Sequence, residues 1–186
     1  RAAEDIAVSR AIAIAELVDT PIHVGPLSSG RSVELVRRAK NDGVKITASV
    51  NVLNLIFTSR DVRETLDPGL NVVPPLRQEE DRIALINGIK DGTIDALSSG
   101  HRRQTTAGKQ EPFEWSMPGA STLDILFGLI GQLREDKYLT LDEILRVLIV
   151  GPNSILGRGI EPLREGGRNL VIFDKERAYT LEQHDE

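Results

Sequence analysis

Apolar residues recur along the chain at two spacings, one typical of helices and one typical of buried strands. Ala7, Ala11, Ile14 and Val18 are separated by four, three and four positions, which predicts an amphipathic helix. Further helices are predicted over 32–40 and 78–90, and short apolar strands over 22–24, 44–50, 71–73 and 94–97. Because strands that alternate with helices form βαβ units, the pattern predicts an α/β fold with a parallel sheet of about four units.

The last part of the chain combines a polar segment with further helical patterns. Residues 100–119 have no apolar period and predict a long loop, and loops of this length are usually functional or disordered. Beyond it, apolar spacing over 123–130 predicts a helix. Thr140 and Glu143 have the spacing of a capping box, followed by an apolar stripe over 141–148. A late strand is predicted over 169–173.

Composition and charge narrow the classes of function. The chain has 186 residues, a net charge of -5 and a sequence pI near 5.3, which argues against a nucleic-acid or anionic-membrane partner. It contains no cysteine, so disulfides and cysteine-ligated zinc are excluded. No apolar run approaches the roughly 20 residues of a membrane span. These features predict a cytoplasmic globular protein.

Six segments carry motifs in a fixed order. They are residues 32–40, 74–82, 91–95, 112–114 with 118–119, 152–157 and 170–174. In order and spacing these segments resemble the dihydroorotases, metal-dependent amidohydrolases of pyrimidine synthesis. The resemblance implies the second half of a (β/α)8 TIM-type barrel over 1–160, with a site at the carboxyl ends of the strands. It also implies that 161–186 form a C-terminal strand of a small β subdomain and a charged tail.

The positions that carry chemistry in this family hold other residues in this chain. Pro26 stands where the family has the zinc-binding histidine of its His-Val-x-His motif. Leu53 and Asn54 replace the two histidines of Thr-Pro-His-His-Leu. Gly100 replaces the aspartate that acts as general acid and base, and Gln104 replaces a later histidine. The resemblance therefore implies that these five positions are degenerate, with no catalytic residue and no bound zinc.

Residues outside those five positions are predicted to have lesser roles. His23 and His101 match family histidines, but each is isolated from other ligand-type residues, and a lone histidine in a strand is usually packed. The long loop contains Arg102, Arg103, Phe113, Trp115 and Met117. These five residues form a candidate partner-contact loop, with Trp115 as an anchor. The alternative is that its apolar residues fill the pocket of the barrel.

The resemblance implies a function that depends on binding. It indicates a non-catalytic dihydroorotase-like subunit that binds and stabilises aspartate carbamoyltransferase in de novo pyrimidine biosynthesis, as a homo-oligomer within a larger complex. An alternative is a zinc-dependent cyclic amidohydrolase, of dihydroorotase or hydantoinase type, with an altered site. A third is a small-molecule sensor that keeps the old pocket. Turnover of a cyclic amide by the complete protein distinguishes the second from the other two.

Overall fold

The computed structural model describes residues 1–160 together with Glu165 and Val171. The first elements are α1 (Ala2–Val18), β1 (Ile22–Leu27), α2 (Gly30–Asn41), β2 (Ile46–Asn51), α3 (Leu53–Ile56), α4 (Ser59–Thr65) and a 3-10 turn (Pro68–Leu70). The later elements are α5 (Glu79–Lys90), β3 (Ala96–Ser98), α6 (Thr106–Gln110), α7 (Leu126–Glu135), α8 (Leu141–Leu145), a π-helical turn (Arg146–Val150) and α9 (Gly151–Ile155). Within the described ranges, no helix combines the length and the apolar character needed to cross a membrane. The strand predicted over 169–173 lies outside the described residues.

The three strands form one parallel sheet in the order β1-β2-β3. Side chains alternate between its two faces, and Val24, Ala48 and Val50 are buried in the core with the helices. The other face, here called the polar face, carries four polar side chains on β1 and β2: His23, Thr47, Ser49 and Asn51. A parallel sheet with helices between its strands confirms the predicted α/β class.

The strand predicted over 71–73 is wrong. Residues 71–73 contain no strand, and β2 pairs directly with β3 through Ser49 and Ala96. Pro74 and Pro75 follow at once and have no backbone N–H to donate to a strand ladder. The described residues therefore contain three strands where the apolar pattern predicted about four units.

The apolar stripe predicted on α1 is also wrong. Ile14 and Val18 are half-exposed, whereas Asp5, Val8 and Ala15 are buried. Hydrogen bonds decide which face of α1 is buried. Asp5 accepts hydrogen bonds from the Ser29 and Ser32 hydroxyls at 2.9 Å each. The neighbouring Glu4 accepts from the amides of Ser28 and Ser29 at 2.8 and 2.9 Å. These carboxylates fix the face of α1 that meets the start of α2, where free N–H groups need acceptors.

The capping box predicted at the start of α8 is confirmed. The Thr140 hydroxyl accepts from the Glu143 amide at 3.3 Å, and the Glu143 carboxylate accepts from the Thr140 amide at 2.7 Å. The stripe that follows differs in part from the prediction. Ile144 and Val147 are buried, whereas Leu141 in the first turn of α8 is exposed.

Arg82 of α5 links three parts of the chain from a buried position. Its guanidinium donates to the Leu55 carbonyl at 3.1 Å and to the Tyr138 hydroxyl at 3.0 Å, and lies 4.6 Å from the centre of the Tyr138 ring.

We expect Arg82→Met to lower the free energy of unfolding of the complete protein by about 2 kcal/mol, because buried acceptors lose a charged donor. Urea denaturation measures this loss. Arg60→Met, which removes an exposed pair on α4, should cost less than about 0.5 kcal/mol. Equal losses in the two variants would contradict the role given to Arg82.

Candidate functional site

The parallel sheet brings the sequence-predicted site positions to one end of the fold. Pro26 lies near the carboxyl end of β1, Leu53 and Asn54 follow β2, and Gly100 follows β3. Gln104 is further along, where its Nε2 donates to the Pro118 carbonyl at 2.9 Å. Four of the five positions therefore share the carboxyl edge of the sheet, and Gln104 holds the loop that follows β3.

The donor atoms at this edge do not fit a zinc site. Proline, leucine and glycine offer no side-chain ligand, and zinc in proteins prefers imidazole, thiolate or carboxylate. Asn54 is 3% exposed, its Nδ2 donates to the Pro75 carbonyl at 3.4 Å, and its Oδ1 is buried without a hydrogen-bond partner among the described residues. Within the described part of the chain, no three histidine, cysteine, aspartate or glutamate side chains lie together as a metal site would need. The described side chains at this edge therefore do not make up a set of zinc ligands.

Asn51 fills the space beside Gly100. Gly100 has a φ of +64°, and a Cβ built on it would lie 2.9 Å from the Asn51 Cγ and 3.0 Å from the Asn51 Nδ2. A side chain at residue 100 would therefore collide with the Asn51 carboxamide and strain the backbone. The Asn51 side chain, from β2, thus occupies the space where the family's general base would lie. The sequence alone did not predict that Asn51 lies beside Gly100.

Restoring a single family residue should not restore family chemistry. We expect Gly100→Asp in the complete protein to leave the turnover of dihydroorotate no higher than that of the unaltered protein. It should also lower the free energy of unfolding by about 1–3 kcal/mol, since it combines a left-handed backbone with a steric conflict. Steady-state turnover and urea denaturation measure the two effects, and Gly43→Asp, also at positive φ but in open space, is the matched control. A gain of turnover in Gly100→Asp would show that the site position has been misassigned.

The polar face holds a histidine between two hydroxyl groups. The His23 Nδ1 lies 2.9 Å from the Thr47 Oγ1, and its Nε2 lies 3.0 Å from the Ser49 Oγ. The Thr47 hydroxyl donates to the Ile22 carbonyl at 3.3 Å, so it accepts from the Nδ1–H of His23. The Nε2 then accepts from the Ser49 hydroxyl. His23 is therefore held in one tautomer, with its lone pair directed at Ser49.

Burial of the imidazole lowers the pKa of His23 below its ordinary value of 6.5, and the negative charge of Asp95 opposes this effect. The charge of Asp95 is itself compensated, since its carboxylate accepts from the Lys40 ammonium at 2.8 Å. His23 is consequently a neutral base at neutral pH. A neutral imidazole that accepts a hydrogen bond from a serine hydroxyl is placed to take up the proton of that hydroxyl.

Sequence reasoning missed Thr47, Ser49 and Asn51 as site residues and treated His23 as a packed residue. A signal was present, because residues 46–51 alternate strictly between apolar or small and polar side chains. A strand buried on both faces in an α/β barrel is usually apolar throughout. The alternation therefore indicates that one face of this strand is polar, whereas the sequence analysis predicted only a buried strand over 44–50.

The candidate partner-contact loop is ordered by hydrogen bonds, although it was predicted without regular structure. It contains the short helix α6. The Asn71 Nδ2 donates to the Ser116 carbonyl at 2.8 Å and to the Phe113 carbonyl at 3.3 Å, and the Met117 amide donates to the Gly108 carbonyl at 3.1 Å. Near its start, the His101 Nδ1 accepts from two backbone amides, which gives His101 a structural role in the turn.

The loop presents side chains outward. Trp115 is 77% exposed and Met117 is half-exposed, whereas Phe113 is only partly exposed. Arg102 and Arg103 are also exposed. Most of Trp115 is therefore left uncovered by the part of the chain that the structure describes.

Comparison with curated proteins identifies relatives along nearly the whole chain, although no family model matches. A protein of Thermoanaerobacter sp. (strain X514) named dihydroorotase is 35% identical over 185 residues, which cover 98% of this chain and 42% of that protein. A protein of Thermus aquaticus, also named dihydroorotase, is 38% identical over 181 residues, which cover 95% of this chain and 42% of that protein. The chain thus spans less than half the length of the curated relatives that it matches.

Solved structures share the fold. D-hydantoinase aligns with a TM-score of 0.69 and 25% identity, covering 78% of this chain and 33% of the enzyme. The inactive dihydroorotase-like domain of the Chaetomium thermophilum CAD-like multifunctional protein aligns with a TM-score of 0.62 and 21% identity, covering 80% of this chain and 40% of that chain. These alignments confirm the predicted partial TIM-type barrel.

The names of the relatives correct one expectation. The degenerate positions led to the prediction that the protein is not an enzyme, and this prediction is contradicted by the curated relatives, which are named as enzymes. Loss of family side chains at Pro26, Leu53 and Gly100 removes one set of chemical groups, but it does not exclude the groups that the polar face presents. The chain is homologous to the dihydroorotases and hydantoinases of the amidohydrolase family across most of its length.

Proposed function

We propose that the complete protein hydrolyses a cyclic amide, as an amidohydrolase related to dihydroorotase whose site is altered. The observation that carries this proposal is the 35% identity to a protein named dihydroorotase over 98% of this chain. The polar face supports it, because it places a base and hydroxyl groups on the side of the sheet away from the helices. We further propose that this half of the site binds no zinc, since its side chains do not fit that metal.

Opening a cyclic amide requires an oxygen nucleophile at the ring carbonyl and a proton for the departing nitrogen. In the proposed site the attacking oxygen is that of a water molecule, whose proton passes to the Ser49 oxygen while the Ser49 hydroxyl proton passes to the Nε2 of His23. The C–N bond of the tetrahedral intermediate then breaks, and the ring opens to a carboxylic acid and an amine. Thr47 keeps the Nδ1 protonated and therefore keeps the Nε2 lone pair free to accept. The same imidazole, once protonated, is the donor for the leaving nitrogen.

The pH dependence of turnover tests this assignment. A base must be neutral to act, so we expect kcat/KM to fall as the pH is lowered through the pKa of His23. Because burial holds that pKa below 6.5, turnover should still be near its maximum at pH 7 and should be halved only below pH 6.5. Hydrolysis of dihydroorotate, dihydrouracil and hydantoin by the complete protein, followed across pH 5 to 8, measures the profile. A midpoint above pH 6.5, or a profile unchanged in His23→Asn, would contradict the assignment.

We also propose aspartate carbamoyltransferase as a partner in a larger complex, bound through the candidate partner-contact loop. The supporting observation is Trp115, a large apolar side chain that is 77% exposed on a loop held in place by Asn71. Exposed aromatic anchors of this kind often dominate binding energy. Arg102 and Arg103 would contribute charge at the rim.

Analytical ultracentrifugation of the complete protein with aspartate carbamoyltransferase measures how strongly the two associate. We expect Trp115→Ala to weaken their association at least about tenfold. Leu17→Ala, which truncates an equally exposed apolar side chain on α1, should leave the association unchanged. Association that is absent, or that is equally strong in the Trp115→Ala variant, would contradict the proposed interface.

A further inference from the structure

We propose that the Asn51 carboxamide recognises the ring amide of the substrate through two parallel hydrogen bonds. This inference rests on the proposed function, because it names the group that would read the cyclic amide in that site. Asn51 is the last residue of β2 and lies opposite Ser98 of β3 in the strand register. Alternation along β2 places it on the polar face, two residues beyond Ser49.

The position of the carboxamide is set by the absence of a side chain at Gly100. The space that a Cβ of residue 100 would occupy lies 2.9 Å from the Asn51 Cγ and 3.0 Å from its Nδ2. The carboxamide therefore lies against the carboxyl edge of the sheet, beside the start of the loop that follows β3. This edge is where the sequence-predicted site positions converge.

The carboxamide has no hydrogen-bond partner within the described residues. Asn51 is 7% exposed, yet its side chain neither donates to nor accepts from a described residue. The oxygen and nitrogen of the carboxamide still reach solvent, because neither is among the buried polar atoms that lack a partner in the described part of the chain. A ligand that supplies both a donor and an acceptor can therefore pair with the carboxamide directly.

Cyclic amides present the matching pair of atoms. Inside a five- or six-membered ring the amide is cis, so its C=O and its N–H point to the same side. The Asn51 carboxamide offers an N–H donor and a C=O acceptor on one edge, and the two amides can join through two parallel hydrogen bonds. An open-chain secondary amide is trans and cannot present this edge without a cost of about 2.5 kcal/mol.

The ring nitrogen is therefore predicted to decide binding. A lactam whose nitrogen carries a methyl group keeps its carbonyl but loses the donor, and it would leave the Asn51 oxygen buried and unpaired. Sites built to hydrogen-bond a ligand N–H reject analogues that lack it more strongly than apolar pockets reject a missing methylene. We expect the complete protein to bind 2-piperidone at least about tenfold more tightly than 1-methyl-2-piperidone.

Isothermal titration of the complete protein with these two lactams is the test. In Asn51→Asp the carboxylate cannot donate to the ring carbonyl, and in Asn51→Leu both hydrogen bonds are lost. Both variants should bind 2-piperidone at least about tenfold more weakly, and Asn51→Leu should no longer distinguish the two lactams. Asn41→Asp, at the exposed end of α2, is the matched control and should bind as the unaltered protein does. Thermal melting establishes that each variant is folded.

The outcomes separate this inference from the proposed function. Equal affinity for the two lactams, no binding of either, or unweakened binding in a folded Asn51→Asp variant would overturn the role of Asn51. Binding that depends on Asn51 without any hydrolysis of a cyclic amide would support the inference while overturning the proposed activity. Hydrolysis of a cyclic amide that is unaffected by Asn51→Asp would support the proposed activity while overturning the role of Asn51.

Discussion

Replacing His23 with asparagine is expected to slow hydrolysis of a cyclic amide by the complete protein at least about 100-fold. Asparagine can still form a hydrogen bond to Thr47 or Ser49, but it cannot take up a proton. The two hydrogen bonds of the imidazole, at 2.9 and 3.0 Å, hold the ring in one orientation. The loss should fall on kcat, because His23 acts on the proton rather than on the binding of the ring.

Steady-state kinetics of the His23→Asn variant measure this loss. His101→Asn is the matched control, since His101 accepts hydrogen bonds from two backbone amides near the same end of the sheet. The control should lose less than about tenfold, because it removes a structural contact outside the proposed proton path. Loss of equal size in both variants, or a loss confined to KM, would contradict the role of His23.

Replacing Gly151 with alanine is expected to give the largest loss of stability, at least about 3 kcal/mol. Gly151 begins α9 directly after the π-helical turn, and a Cβ built on it would lie 1.7 Å from the Asp95 carbonyl oxygen and 2.8 Å from the Asp95 carbonyl carbon. Both contacts are with backbone, which cannot move aside as a flexible side chain could. Asp95 immediately precedes β3, so relief of the conflict must displace the strand or the helix.

Urea denaturation of the complete protein measures the effect of Gly151→Ala. Gly131→Ala in α7 is the matched control, because a Cβ there meets no atom within 4 Å and the helix gains from the better helix-forming residue. The control should raise the free energy of unfolding by about 0.5–1 kcal/mol. A Gly151→Ala variant as stable as the unaltered protein would show that α9 does not approach β3 as closely as described.

The class of fold could be predicted from the sequence because it depends on local spacing. The apolar run over 44–50 predicts β2, and Thr140 with Glu143 predicts the start of α8, since both signals lie within a few residues. The buried face of α1 could not be predicted in this way. That face is chosen by Asp5, whose hydrogen-bond partners Ser29 and Ser32 come from a distant segment.

The candidate site was predictable only in part. Pro26 and Gly100 lie at the carboxyl edge of the sheet because parallel strands end together, and this much follows from their order along the chain. The residue that takes the place beside Gly100 comes from another strand, so comparison at one position could not identify Asn51. The pairing of His23 with Ser49 likewise depends on the register between β1 and β2.

The central claim is that the complete protein opens a cyclic amide without a zinc ion, at a site to which this half of the barrel contributes the base. Its most direct test is the turnover of dihydroorotate, dihydrouracil and hydantoin before and after metal is removed with a chelator. We predict hydrolysis of at least one of these compounds, at a rate that survives chelation and is lost in His23→Asn. No hydrolysis of any of them, or hydrolysis that chelation abolishes and zinc restores, would contradict the claim.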